Sequence, residues 1–124
     1  LQSRGLGDVY KRQVLTYEEG FIKDSEYPED DEAWSHAPKD ECEYFGNFTF
    51  REDGTYSEYD LDGTSNPQSI EKWEVNGDVI TLIEDEYEQY DLKVLEISSN
   101  KLVLEFHDKD ETSEHYAKMT YKRG

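Results

Sequence analysis

The side chains best suited to nucleophilic or metal chemistry, cysteine and histidine, are scarce in this chain. The 124 residues include one cysteine, Cys42, and three histidines, His36, His107 and His115. A thiol paired with an imidazole can act as a nucleophile, but no local motif places a histidine beside Cys42. The histidines also lack the His-x-x-x-His spacing that presents two zinc ligands on one helix face. We therefore predict a non-enzymatic protein with no catalytic residue and no cofactor.

Carboxylates are so abundant that their mere presence says little about chemistry. The chain has 31 acidic and 13 basic residues, which give a formal net charge of −18. Pairs of acids are unavoidable at this density, so they do not indicate a glycosidase. The stretch DLDGTSN could attract calcium, which prefers several oxygen ligands, but it lacks the EF-hand spacing and closing glutamate. Asp60, Asp62 and Asn66 are therefore weak calcium candidates, and we predict no metal site.

The charge and the composition argue against several classes of partner. A basic surface for phosphate backbones is missing, so nucleic-acid binding is disfavoured, as is binding to anionic membranes. No apolar run approaches the roughly 20 residues of a helical membrane span. A single cysteine cannot form an internal disulfide. Aromatic residues, at 14% of the chain, favour a folded protein because they bring large buried area and strand propensity.

Most of the chain alternates between apolar and polar residues with the period of two that is typical of β-strands. Hairpin turns are predicted at Asp53-Gly54 and Asn76-Gly77. Because the strands follow one another through short turns, we predict an all-β, eight-stranded, up-and-down antiparallel meander that closes into a barrel. The predicted strands cover residues 14–23, 47–52, 55–60, 69–75, 78–84, 89–97, 101–107 and 113–122.

Two segments depart from this pattern. Residues 24–43 are rich in acids and contain Pro28 and Pro38, which predicts a long, mobile acidic loop that could include one helical turn at Asp31–Ser35. Residues 1–13 are basic, and their string GDVYKRQ resembles translated sequencing-adapter read-through at the ends of metagenomic gene fragments. We expect residues 1–13 to be a non-native segment before a single domain at 14–124.

Three runs carry a resemblance to a known family: FTFREDGTY at 48–56, WEVNGDVITL at 73–82 and VLEISSNKLVL at 94–104. Together with the closing Tyr121-Lys-Arg, they resemble the bacterial lipocalin-like domains over roughly residues 14–123. The resemblance implies a small calycin-type barrel, exported to the bacterial envelope or secreted, often as a lipoprotein. That family usually has a Gly-x-Trp before its first strand, and its absence here leads us to expect an N-terminal truncation.

The predicted barrel interior is the candidate ligand site. Its residues could line a cup for a small apolar molecule, or they could fill an eight-stranded barrel as a packed core. We predict binding of such a molecule, or of an envelope protein partner on the surface. The alternatives are a purely structural or interaction module, and an enzyme that uses carboxylates or Cys42 at the barrel mouth. The predicted interior residues are Phe48, Phe50, Tyr56, Trp73, Leu82, Leu92, Leu104, Phe106, Met119 and Tyr121.

Overall fold

The computed structural model describes residues 12–39, 41–61 and 71–124, which form antiparallel β-strands and one short 3₁₀ turn at Pro28–Asp30. Among these residues, no helix has the length and apolar character needed to cross a membrane. The strands are β1 (Arg12–Asp24), β2 (Glu32–His36), β3 (Asn47–Phe50), β4 (Thr55–Tyr59), β5 (Glu71–Asn76), β6 (Val79–Ile83), β7 (Gln89–Ile97), β8 (Leu102–Lys109) and β9 (Ser113–Arg123).

Eight of these strands close into a barrel, which confirms the predicted fold. From β3 to β9 each strand pairs with the next, and β1 closes the barrel by pairing with both β3 and β9. The seam between β1 and β9 extends from the pair Gln13 and Arg123 to the pair Asp24 and Ser113, with a bulge between Leu15 and Tyr17. Closure matters because β9, the last strand, pairs along its length with β1 and so has no exposed edge.

The acidic segment after β1 contains a ninth strand, so the helical turn predicted at Asp31–Ser35 is wrong. Those residues belong largely to β2, which pairs with β1 from Glu18 opposite His36 to Ile22 opposite Glu32. The physical reason lies in β1 itself. Its first two residues alone pair with β3, so the rest of that edge offers unpaired backbone groups, and β2 satisfies them.

The prediction of a non-native segment at 1–13 falls mainly on residues 1–11, which lie outside the described residues. Arg12 and Gln13 are part of β1, where they pair with Thr49 and Phe48 of β3. Gln13 is buried. The described barrel therefore begins two residues before the predicted boundary.

The two ends of the barrel are built differently, and we call them the base and the mouth. The base carries the turns at 51–54, 77–78 and 98–101, and the mouth carries the end of β1 and the turns at 84–88 and 110–112. Both predicted hairpin turns lie at the base, where Gly54 (φ +87°) and Gly77 (φ +62°) adopt the left-handed conformation. Glycine reaches that conformation without a steric cost.

All ten predicted interior residues are buried, and their role in binding a ligand stays a prediction. In the lower half of the barrel their rings contact one another. The ring centroids of Phe48 and Phe50 are 5.2 Å apart, and those of Phe50 and Trp73 are 5.0 Å apart. The Trp73 indole N–H donates to the carbonyl of Arg51 at 2.9 Å. The base is therefore a packed core with its polar indole satisfied.

Candidate functional site

The mouth of the barrel is closed by an aromatic side chain that does not belong to any strand. Phe45 lies in the connection between β2 and β3 and is 6% exposed. Its ring centroid is 6.1 Å from that of Phe48, 5.7 Å from Tyr90 and 5.7 Å from Phe106. We call residues 42–46 the plug, because they cross the mouth and place this ring inside it.

Two carboxylates of the barrel wall hold the plug in place. The backbone N–H of Glu43 donates to Oε1 of Glu18, on β1, at 2.9 Å. The backbone N–H of Gly46 donates to Oε2 of Glu58, on β4, also at 2.9 Å. Hydrogen bonds to charged groups are stronger than neutral ones, so these two contacts position the plug at each end.

Glu18 is the most unusual of these residues, because a carboxylate is rarely buried in a barrel interior. Its side chain is 1% exposed, and its Oε2 atom has no hydrogen-bond partner in the described part of the chain. Burial raises the pKa of Glu18, and the negative charge of Glu43 adds to that effect, while the Glu43 N–H and His36 act in the opposite direction. The buried site thus disfavours the ionised carboxylate.

The bulge in β1 explains why Glu18 points inward. Leu15 is buried and Tyr17 is 39% exposed, so the alternation reverses across Thr16. Glu18 then lies opposite Met119 of β9, which is fully buried. A regular strand starting from an inward Leu15 would have turned Glu18 to the solvent, so alternation in the sequence does not predict its inward orientation.

Tyr121 and Glu58 contribute further polar groups to the barrel interior. The hydroxyl of Tyr121 is buried and has no hydrogen-bond partner among the described residues. Burial raises the pKa of Tyr121 well above its ordinary value, with added effects from Glu58, Cys42 and Glu18. Burial also raises the pKa of Glu58, and the nearby charges of Glu71 and Asp60 contribute, against the Gly46 N–H. The mouth therefore concentrates acidic groups beneath an aromatic plug.

The thiol of Cys42 has the opposite character to that of a catalytic nucleophile. Burial, followed by the charges of Glu58 and Glu18, raises its pKa to about 11. Reactive cysteines instead have lowered pKa values in electropositive surroundings. The structure thus gives no support to the alternative of a Cys42-based enzyme.

The histidines have separate partners. His36 contacts Glu43 at 3.1 Å, and His107 contacts Glu114 at 2.6 Å. The third, His115, contacts the Tyr44 hydroxyl through Nδ1 at 3.3 Å. None of these contacts joins an imidazole to Cys42, so the described residues do not assemble a thiol–imidazole pair.

The calcium candidates receive no structural support from the described part of the chain. Asp60 is exposed, just after β4. Asp62 and Asn66 lie outside the described residues. Within 12–39, 41–61 and 71–124, no three His, Cys, Asp or Glu side chains are arranged to hold a metal ion.

The barrel wall is open beside the plug. The pairing of β7 with β8 runs from Lys93 opposite Glu105 to Ile97 opposite Leu102, so the two strands separate toward the mouth. A cavity of about 240 Å³ lies in this gap, and its lining includes Tyr90 and Phe106, two of the rings that contact Phe45. The gap therefore leads from solvent to the aromatic cluster of the plug.

Turns rich in acids surround the mouth. In one of them, burial and the charges of Glu71 and Glu88 raise the pKa of Glu84 to about 7. Acidic residues of the described mouth segments include Asp24, Glu26, Glu29, Asp30, Asp31, Glu32, Glu41, Glu43, Glu58, Asp60, Glu84, Asp85, Glu86, Glu88, Asp108, Asp110, Glu111 and Glu114.

Comparison with known proteins gives one match. The family of lipocalin-like domains matches residues 15–104, from β1 into β8. No curated protein matches the chain, and no solved structure does.

Proposed function

Because the chain belongs to the lipocalin-like domain family, we propose that it binds a small molecule with an apolar ring or chain at the mouth of its barrel. The observation that carries the proposal is the position of Phe45, a ring supplied by a non-strand segment and surrounded by Phe48, Tyr90 and Phe106. A ligand ring of similar size can take that place when the plug moves outward.

The packing of the base favours a site in the upper part of the barrel. The rings of the base pack against one another, and burying such side chains supplies much of the stability of a small domain. Displacing them would cost more than displacing Phe45, which is attached to the barrel by a connection and not by strand pairing. The gap between β7 and β8 provides the route of access.

A neutral, environment-sensitive dye, N-phenyl-1-naphthylamine, tests the proposal. We expect its fluorescence to rise on binding, and we expect Phe45→Ala to bind it more tightly because the competing ring is gone. Tyr87→Ala is the matched control, since that aromatic side chain is 87% exposed. Near-ultraviolet circular dichroism checks that each variant remains folded, and Phe45→Leu replaces Phe45→Ala if the latter unfolds.

No dye binding by the wild type or by a folded Phe45 variant would contradict the proposal. That result would favour a structural or interaction module whose barrel is filled only by its own side chains.

We also propose that the domain works in the bacterial cell envelope or as a secreted protein. The support is the likeness of its strand and turn motifs to bacterial lipocalin-like domains. Fractionation of cells that express the complete gene containing this sequence tests it. Recovery in the envelope or the medium is the expected result, and recovery in the cytoplasm would contradict it.

A further inference from the structure

The barrel interior contains a carboxylate oxygen and a hydroxyl that have no hydrogen-bond partner among the described residues. Oε1 of Glu18 accepts the N–H of Glu43, but Oε2 of the same group has no hydrogen-bond partner. The hydroxyl of Tyr121, which is 0% exposed, has none either. A buried polar group without a partner is costly, and more so if it is charged. Such groups require an explanation in a folded protein.

The two groups share the inner face of the barrel. Glu18 lies opposite Met119 of β9, and Tyr121 is two residues further toward the base end of that strand. Both are linked to the plug, because Glu18 accepts the Glu43 N–H and the charge of Cys42 contributes to the raised pKa of Tyr121.

The surroundings of these two groups are negative. The negative charges of Glu43 and Glu58 add to the effect of burial in raising the pKa values of Glu18 and Tyr121 respectively. Burial of like charges together is unfavourable unless a cation offsets them. The imidazole of His36 is near Glu18, but it already contacts Glu43 at 3.1 Å.

We propose that the ligand of the mouth carries an ammonium group, which binds the free Oε2 atom of Glu18 and the hydroxyl oxygen of Tyr121 beneath the position of Phe45. This inference rests on the proposed function and adds the chemical class of the ligand, an amine with an apolar chain or ring. The ammonium N–H groups donate to both oxygens, and the apolar part occupies the space among Phe48, Tyr90 and Phe106.

The geometry favours an ammonium over a metal ion or an anion. The described residues do not group three metal ligands, whereas an ammonium needs only hydrogen-bond acceptors. A carboxylate or phosphate ligand would meet the charges of Glu18 and Glu58 and would be repelled. The acidic turns around the mouth also raise the local concentration of organic cations.

Three probes of equal length isolate the headgroup: octylammonium, octan-1-ol and octanoate, each measured by displacement of N-phenyl-1-naphthylamine. We expect the wild type to bind octylammonium about tenfold more tightly than octan-1-ol, because a hydrogen bond to a charged group exceeds a neutral one by about that factor. Octanoate should bind more weakly than both.

The variants locate the headgroup site. Glu18→Gln keeps an oxygen for the Glu43 N–H but removes the charge, so the preference for octylammonium over octan-1-ol should disappear. Glu19→Gln is the matched control, because it makes the same change on the same strand at a more exposed position whose carboxylate contacts Lys118. It should keep the preference. Tyr121→Phe should weaken the binding of octylammonium but not that of octan-1-ol. It serves as the second variant if Glu18→Gln does not fold.

The outcomes separate the inference from the proposed function. Equal binding of octylammonium and octan-1-ol, or a preference that survives in both Glu18→Gln and Tyr121→Phe, would overturn the inference and leave the proposed function standing. Failure of the dye and of all three probes to bind would overturn the proposed function, and the inference with it.

Discussion

The two ends of this barrel, the base and the mouth, are closed in different ways. At the base, tight turns with Gly54 and Gly77 join the strands, and packed rings fill the interior. At the mouth, two strands separate and a connecting segment supplies the closing ring, while inside the barrel Oε2 of Glu18 and the hydroxyl of Tyr121 have no partner among the described residues. Strand pairing and ring packing are regular at the base and irregular at the mouth, which is the pattern expected of a functional site.

The charges follow the same division. The base end has similar numbers of acidic and basic residues, whereas acidic residues dominate the mouth segments. The acidic residues at the base end are Glu52, Asp53, Asp78 and Glu96. The basic residues at the base end are Arg12, Arg51, Lys101, Lys122 and Arg123. The strongly negative net charge of the chain is thus concentrated around the candidate site.

The largest expected effect is on the free energy of unfolding, when one buried ring from each end of the barrel is removed in turn. Phe50→Ala should lower the free energy of unfolding by about 3–5 kcal/mol, because it leaves a cavity in a packed core. Phe45→Ala should cost less than half as much, since the plug can move to fill the space. Urea denaturation measures both. Equal losses of unfolding free energy would mean that Phe45 contributes as much to the packed core as Phe50 does.

A second comparison concerns glycines. A Cβ atom on Gly20, beneath β2, would lie 2.1 Å from the carbonyl oxygen of Tyr116 and 2.8 Å from the Trp34 ring. We expect Gly20→Ala to cost about 1–3 kcal/mol through this clash. Gly77→Asn at the base is the control, because its φ is tolerated by asparagine and nothing lies within 4 Å of the added atom. Thermal unfolding with tryptophan fluorescence distinguishes them, and a neutral Gly20→Ala would be inconsistent with the close packing of Trp34.

The third prediction concerns the cost of the buried carboxylate. The pKa of Glu18 is raised above the 4.5 of an exposed glutamate, so the folded protein binds this proton more tightly than the unfolded chain does. Stability therefore falls as pH rises from 4.5 through the raised pKa of Glu18. At pH 7 we expect Glu18→Gln to increase the free energy of unfolding by about 1 kcal/mol.

The same measurement near pH 5 provides the check, because Glu18 is more protonated there and the gain should shrink. Glu19→Gln should show no such pH-dependent gain. A Glu18→Gln variant that is less stable than the wild type at pH 7 would show that the buried charge does not destabilise the folded protein.

The smallest effect should come from salt. Raising the ionic strength to about 0.1 M limits interactions between exposed charges to about 10 Å, so it should raise the melting temperature by reducing repulsion among the acids. Glu84→Gln with Glu86→Gln, at the mouth, should reduce this salt effect more than Glu52→Gln with Asp78→Asn, at the base. The reverse order would contradict the placement of the excess charge.

The base was largely predictable from sequence and the mouth was not, for physical reasons. Alternation of apolar residues located the eight barrel strands and all ten inward side chains, and Asp53-Gly54 and Asn76-Gly77 located two turns, since these are local signals. Strand β2 was missed because its five residues lie in an acidic segment and pair only with an edge left open by β3. The inward turn of Glu18 depends on a bulge, and the role of Phe45 depends on contacts between distant strands.

Replacement of Phe45 by a ligand at the mouth is tested most directly by titrating the isotope-labelled protein with N-phenyl-1-naphthylamine and following amide chemical shifts in two-dimensional NMR. We expect the largest shifts at residues 42–46 and around Tyr90 and Phe106, with little change near Phe50 and Trp73. Shifts confined to the base or to the outer surface, or no shifts at saturating dye, would contradict it.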